Sequence, residues 1–104
     1  MENNTIKFST NWNHKLDCNY FTTIRLYGKK YSIGKTFEVQ LKDNHFCNAI
    51  VQNMYVTKLG QLNDFNCYLD TGYSKLETEN IFRKMYPTVD FATTNLIIIL
   101  LKKI

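Results

Sequence analysis

The chain has 104 residues, of which 44% are apolar, 14% aromatic and 21% charged, with four glycines and one proline. That is one domain's length of chain, 1–104, too aromatic for a disordered tail and lacking the glycine period of collagen or the repeats of a solenoid. Lys+Arg against Asp+Glu is 13 to 9, a net charge of +4 that admits a polyanionic partner without requiring one.

Residues Thr5 to Ser9 alternate enough for a short strand, and no apolar segment follows a basic start, so no secretory leader is expected. Asn11 to Asn19 is polar and turn-rich around Trp12 and Leu16, which suits a loop or a poor short helix. Trp12 reads equally as a core plug or as a lid over a cleft. Tyr20 to Tyr27 (YFTTIRLY) is β-branched and aromatic, the composition of a pleated, partly buried strand. Its alternation turns Ile24 and Leu26 toward a core and Thr23 and Arg25 toward a more accessible face.

Gly28 to Gly34 is a glycine-bounded basic loop. Thr36–Lys42 and Phe46–Thr57 then read as an antiparallel pair around an Asp43-Asn44 turn, and the length of the second strand predicts a bulge near Gln52-Asn53. Leu59, Leu62, Phe65 and Leu69 stand near helical spacing in a weak helix that Asp70-Thr71-Gly72 breaks. A stronger helix begins at Ser74, where Ser74 and Glu77 form a capping box. Ile81, Phe82, Met85 and Tyr86 would be its buried stripe and Pro87 its stop. The closing LIIILL run, Leu96 to Leu101, is far short of the roughly 20 residues that span a bilayer, and reads as a central strand buried on both faces. Together these elements suggest an α+β fold built as a small, mostly antiparallel barrel with flanking helices.

The charge is uneven. Arg25, Lys29, Lys30, Lys35 and Lys42 face the single acid Glu38 in their segment, whereas Asp64, Asp70, Glu77 and Glu79 face only Lys75 in theirs. Three dispersed cysteines (Cys18, Cys47, Cys67) without a CxxC suit reduced thiols and a cytoplasmic location. His14 with Cys18, and His45 with Cys47, are too few ligands for a tetrahedral site, so no metal or cofactor is expected.

The segment Thr22-Thr23-Ile24-Arg25, the Tyr31-to-Gly34 turn before TFEV, the Asp70-x-Gly72-x-Ser74 helix entry and the helix ending Met85-Tyr86-Pro87 occur in an order that resembles an ASCH domain of the PUA-like superfamily. The resemblance runs from about Ile6 to Ile104. It implies a pseudo-barrel of five or six strands with two or three flanking helices. It also implies a cleft between the T-I-R strand and the helix-entry loop, associated with RNA or modified nucleosides.

The residue chemistry agrees. Arg25 offers a bidentate fork to a phosphate or base edge, and Lys29, Lys30 and Lys35 offer sequence-independent attraction to a backbone. Tyr20, Tyr27 or Tyr31 offers a ring on which a base can stack. The expected function is thus binding of RNA or a nucleotide-like ligand, with Tyr20, Thr22, Thr23, Arg25 and Asp70 lining the cleft and the three lysines at its rim. No membrane partner is expected.

Some relatives of that family are amidohydrolases acting on acetylated cytidine, which implies an alternative with Thr23 as nucleophile and Asp70 as supporting carboxylate. In that mechanism a lysine stands five residues before the arginine. Tyr20 occupies that position here, and a phenol is a poor base at neutral pH. Lys15 is near enough in sequence to reach in from the preceding loop. Each residue also has a plain structural role open to it: Arg25 bonding to loop carbonyls, the threonines filling a strand, Asp70 capping a turn. A protein-interaction module without cleft chemistry is the remaining alternative.

Overall fold

The computed structural model describes residues 4–104, with Trp12 and Asn13 described by backbone alone, so the Trp12 side chain lies outside the described residues. The strands are β1 (Thr5–Phe8), β2 (Tyr20–Leu26), β3 (Thr36–Leu41), β4 (Asn44–Thr57) and β5 (Leu96–Lys103). They form one sheet in the order β1-β3-β4-β5-β2, curled into a half-barrel. β1 pairs with β3 in parallel, and the other three pairings are antiparallel. Helices α1 (Asp64–Thr71) and α2 (Lys75–Met85) fall between β4 and β5, and 3-10 turns span Trp12–Asp17 and Leu59–Gln61. Among the described residues no helix is long and apolar enough to cross a membrane.

β5 is buried on both faces, as its uninterrupted apolar run predicts. Ile97, Ile99 and Leu101 point into the concave side with Ile6, Phe8, Phe21, Tyr31, Phe37 and Val51. Leu96 and Ile98 point to the helix side with Ile24, Leu59, Leu62, Cys67, Phe82 and Phe91. Two cores thus share one strand, and β2 beside it must also serve both. Phe21 and Thr23 belong to the concave interior and Ile24 to the helix layer, so the Thr23 face is interior rather than the accessible outside expected for it.

The β3–β4 turn is centred on Lys42-Asp43, one residue before the expected position. Both residues lie in the left-handed region (φ 52° and 65°), as a two-residue hairpin turn demands. The expected bulge is present: the β4–β5 register shifts between Val51 and Asn53, leaving Gln52 as the extra residue. A second shift between Val39 and Gln40 bends the β3–β4 pair.

Ser74 caps α2 as predicted, accepting from the Glu77 amide at 3.2 Å and donating to the Glu77 carboxylate at 3.0 Å. The apolar stripes are less regular. Phe82 is buried, but Met85 is 56% exposed. Of the stripe expected in the preceding segment, Leu59 and Leu62 are buried but come before α1, whereas Phe65 and Leu69 on it are 72% and 55% exposed. The residues α1 buries are Cys67, Asp70 and Thr71. Asp70-Thr71 is therefore the last helical turn rather than a break. Gly72, at φ 80°, is the left-handed cap that ends it, donating its amide to the Tyr68 carbonyl at 3.0 Å.

Candidate functional site

Strands β1 and β2 are the two free edges of the curled sheet, and their approach leaves a seam. Side chains bridge it where no ladder does. Arg25 Nη2 donates to the Lys7 carbonyl at 2.6 Å, and Lys30 Nζ donates to the Thr5 carbonyl at 3.3 Å. Thr5 and Lys7 are the β1 positions whose carbonyls turn away from β3, because Asn4 and Phe8 accept from Glu38 and Lys42 on the β3 side. Two cations thus cap an edge that a strand would otherwise occupy.

At this seam lies a cavity of about 290 Å3, lined on its polar wall by Lys15, Thr23, Arg25 and Asp70. Its apolar wall includes Phe8, Ile24, Phe82 and Tyr86. The four polar residues come from three pieces of the fold. Leu16 is fully buried in the concave core, which anchors the 3-10 turn and carries the adjacent Lys15 inward. The turn is tied by Asn11, whose Oδ1 accepts from the Leu16 amide at 2.9 Å. Asp70 arrives on the last turn of α1, and Thr23 and Arg25 on edge strand β2.

Lys15 and Asp70 form a buried ion pair, Nζ to Oδ1 at 2.8 Å, with both side chains only 6% exposed. Thr22, on the opposite face of β2 from Thr23, donates its hydroxyl to the same Oδ1 at 3.0 Å. Neither donor falls on Oδ2. Arg25 Nε donates to Thr23 Oγ1 at 3.1 Å, fixing the oxygen as an acceptor and leaving its proton to point elsewhere. The Phe8 ring lies under both cations, 4.8 Å from the guanidinium carbon and 5.1 Å from the Lys15 amine.

Burial sets the electrostatics. It holds the Lys15 amine below the ordinary lysine value; the Asp70 charge and hydrogen bond oppose that shift, and Arg25 reinforces it. Arg25 is lowered by burial too, against the opposing influence of Tyr31, Tyr86 and Asp70. Burial raises the Tyr31 phenol, against the opposing charge of Arg25. Lys30 is lowered by partial burial and by its neighbours Arg25 and Lys35.

Of the residues expected at the cleft, Thr23, Arg25 and Asp70 share the cavity, and Thr22 reaches it through Asp70. Tyr20 does not line it: it is half exposed at the start of β2, with the Lys102 amine 5.8 Å from its ring. Lys30 sits at the seam, while Lys35 lies over Phe37, 5.2 Å from the ring centroid, and Lys29 is exposed on the loop. Arg25 meets the Lys7 carbonyl directly, whereas its relation to Asp70 is through charge alone. The residue that reading single positions least reveals is Lys15, because its partner stands 55 residues away.

Among the described residues no group of three or more His, Cys, Asp and Glu side chains could hold a metal ion. The polar wall offers instead an ammonium, a guanidinium, a carboxylate oxygen and a hydroxyl within one small, half-apolar hollow. No family model, curated protein or solved structure matches the chain.

Proposed function

We propose that this is a PUA-like domain of the ASCH kind that binds one nucleotide-sized unit, free or within RNA, at the β1–β2 seam. The observation that carries the reading is the buried Lys15–Asp70 pair on the wall of a cavity that Thr23 and Arg25 also line. A buried pair gains little stability over apolar side chains of the same size, so its place on a cavity wall favours a role in recognition. About 290 Å3 lies near the lower end of ligand pockets, a volume for a base or nucleoside and not for a folded polymer. Phe8, Phe82 and Tyr86 supply ring surface, and the polar wall supplies donors and an acceptor for a base edge. Arg25 and Lys30 at the seam, with Lys29 and Lys35 farther along the loop, supply attraction for phosphates outside.

The test is equilibrium binding of cytidine, cytidine monophosphate and a short single-stranded RNA to the wild type and to Arg25→Ala, at low and high salt. Monophosphate binding should weaken about tenfold or more in Arg25→Ala, and RNA binding should fall steeply with salt. A folded wild type that binds none of the three overturns the reading.

A second reading, amidohydrolysis of acetylated cytidine, is favoured by one specific observation. The lysine that the resemblance requires is missing at Tyr20, but the Lys15 amine enters the cavity beside Asp70. Lys15 would serve as base and Thr23 as nucleophile, with Asp70 holding the lysine. Release of acetate from acetylated cytidine, abolished by Thr23→Ala and by Lys15→Met, is the expected result. Unchanged substrate with the wild type refutes it.

A further inference from the structure

An amine that is buried, opens onto a cavity, lies against an aromatic ring and has a guanidinium near it is in a setting that favours the free, nucleophilic form, and a bonded carboxylate supplies an acceptor for its proton. Lys15 meets each of these conditions. Its side chain is 6% exposed, it lines the cavity, the Phe8 ring centroid is 5.1 Å away, and Asp70 is bonded at 2.8 Å. Exposed Lys29, Lys42, Lys84 and Lys102 meet none of the burial conditions.

We propose that Lys15 is a carbonyl-reactive amine that forms a reversible Schiff base with a small, mainly apolar aldehyde or ketone admitted to the cavity. The Lys15 ammonium gives a proton to Asp70, and the neutral nitrogen adds to the carbonyl carbon. A C–N bond forms and the C=O π pair moves to oxygen, giving a carbinolamine once protons are exchanged. The carbinolamine oxygen takes up the Asp70 proton and leaves as water. One ammonium and one carbonyl compound thus give one iminium and one water, with no oxidant or reductant consumed.

Asp70 serves twice, as proton carrier and then as counter-ion to the iminium, which keeps the positive charge the buried pair already accommodates. Thr22, bonded to the same carboxylate oxygen, holds Asp70 in place and leaves Oδ2 for the proton. Burial and Arg25, which both hold the amine below the ordinary lysine value, raise the fraction of free amine. The apolar wall of Phe8, Ile24, Phe82 and Tyr86 admits the body of the carbonyl compound. The inference needs no nucleotide and stands apart from the binding function proposed above.

The test is trapping on the intact wild type: brief incubation with benzaldehyde and cyanoborohydride at neutral pH, then peptide mapping by mass spectrometry. The exposed lysines of the same molecule are the internal reference, so no variant is needed for the primary readout. Lys15 is expected to carry the secondary-amine adduct about tenfold above the mean of Lys29, Lys42, Lys84 and Lys102, because its amine is desolvated and stands near a second cation. The apolar pair replacement Lys15→Met with Asp70→Leu should lose that adduct and keep the surface background. Labelling of Lys15 at or below the surface level overturns the proposal, as does an adduct distribution unchanged between the wild type and the double variant.

Discussion

Removing one member of the buried ion pair should be far more damaging than removing both. Lys15 and Asp70 are each 6% exposed at the side chain and bonded at 2.8 Å, and the same oxygen takes a second bond from Thr22 at 3.0 Å. Asp70→Ala leaves a buried ammonium without its counter-charge and a Thr22 hydroxyl without its acceptor. Truncations of this kind cost about 3–5 kcal/mol. At 104 residues, each kcal/mol is worth roughly 5 °C in melting temperature, so the midpoint should fall by roughly 15–25 °C. Lys15→Met should cost a similar amount, because it strands the carboxylate instead. The double replacement Lys15→Met with Asp70→Leu removes both charges and should lie within about 1 kcal/mol of the wild type, or above it. Urea unfolding of the four proteins followed by circular dichroism closes the cycle, which should show a coupling of several kcal/mol. Single variants that each cost under about 1 kcal/mol, the worth of an exposed pair, would refute the reasoning.

The pH dependence of stability has a sign fixed by the same residue. The Lys15 value in the folded chain lies below its unfolded value of 10.5, so between the two the unfolded chain binds more protons. The Lys15 contribution to stability therefore grows as pH rises through that window and is lost as pH falls through the lowered folded value. Asp70→Asn removes the charge that holds Lys15 up and should extend the window toward neutral pH, seen as a steeper rise in urea midpoint between pH 7 and 10 in the variant than in the wild type. Arg25→Lys keeps the charge and loses the fork that joins Thr23 to the Lys7 carbonyl. It should loosen β1, so hydrogen exchange should quicken at the Glu38 and Lys42 amides, which donate to Asn4 just before β1 and to Phe8 at its end, and not along the β4–β5 ladder. Ser74→Ala removes the acceptor of the Glu77 amide and should cost about 1 kcal/mol in denaturant unfolding.

What the sequence made legible was mostly local. Ser74 with Glu77 marks the start of α2 because capping is settled within four residues. The excess length of β4 relative to its partners announces the bulge at Gln52. β5 is buried on both faces because no polar residue interrupts its run. The candidate cavity was legible only by halves: Thr23, Arg25 and Asp70 do share it, while the reason for the Asp70 environment was not readable. An eight-residue helix that buries Asp70 and Thr71 and exposes Phe65 and Leu69 contradicts its own apolar pattern. It does so because a lysine from the 3-10 turn supplies the counter-charge. That pairing spans 55 residues and leaves no periodic trace. The parallel β1–β3 pairing is equally silent, since four residues of alternation fit either direction.

The proposed function requires a nucleotide-sized ligand to bind in the seam cavity. The most direct measurement is a titration of isotopically labelled protein with cytidine monophosphate, followed by amide chemical shifts residue by residue. Saturable changes are expected to centre on Lys15, Thr23, Arg25, Asp70 and Thr71, with smaller ones at Lys30. Changes confined to the exposed lysine loop, or none at all at millimolar ligand, would contradict the proposal.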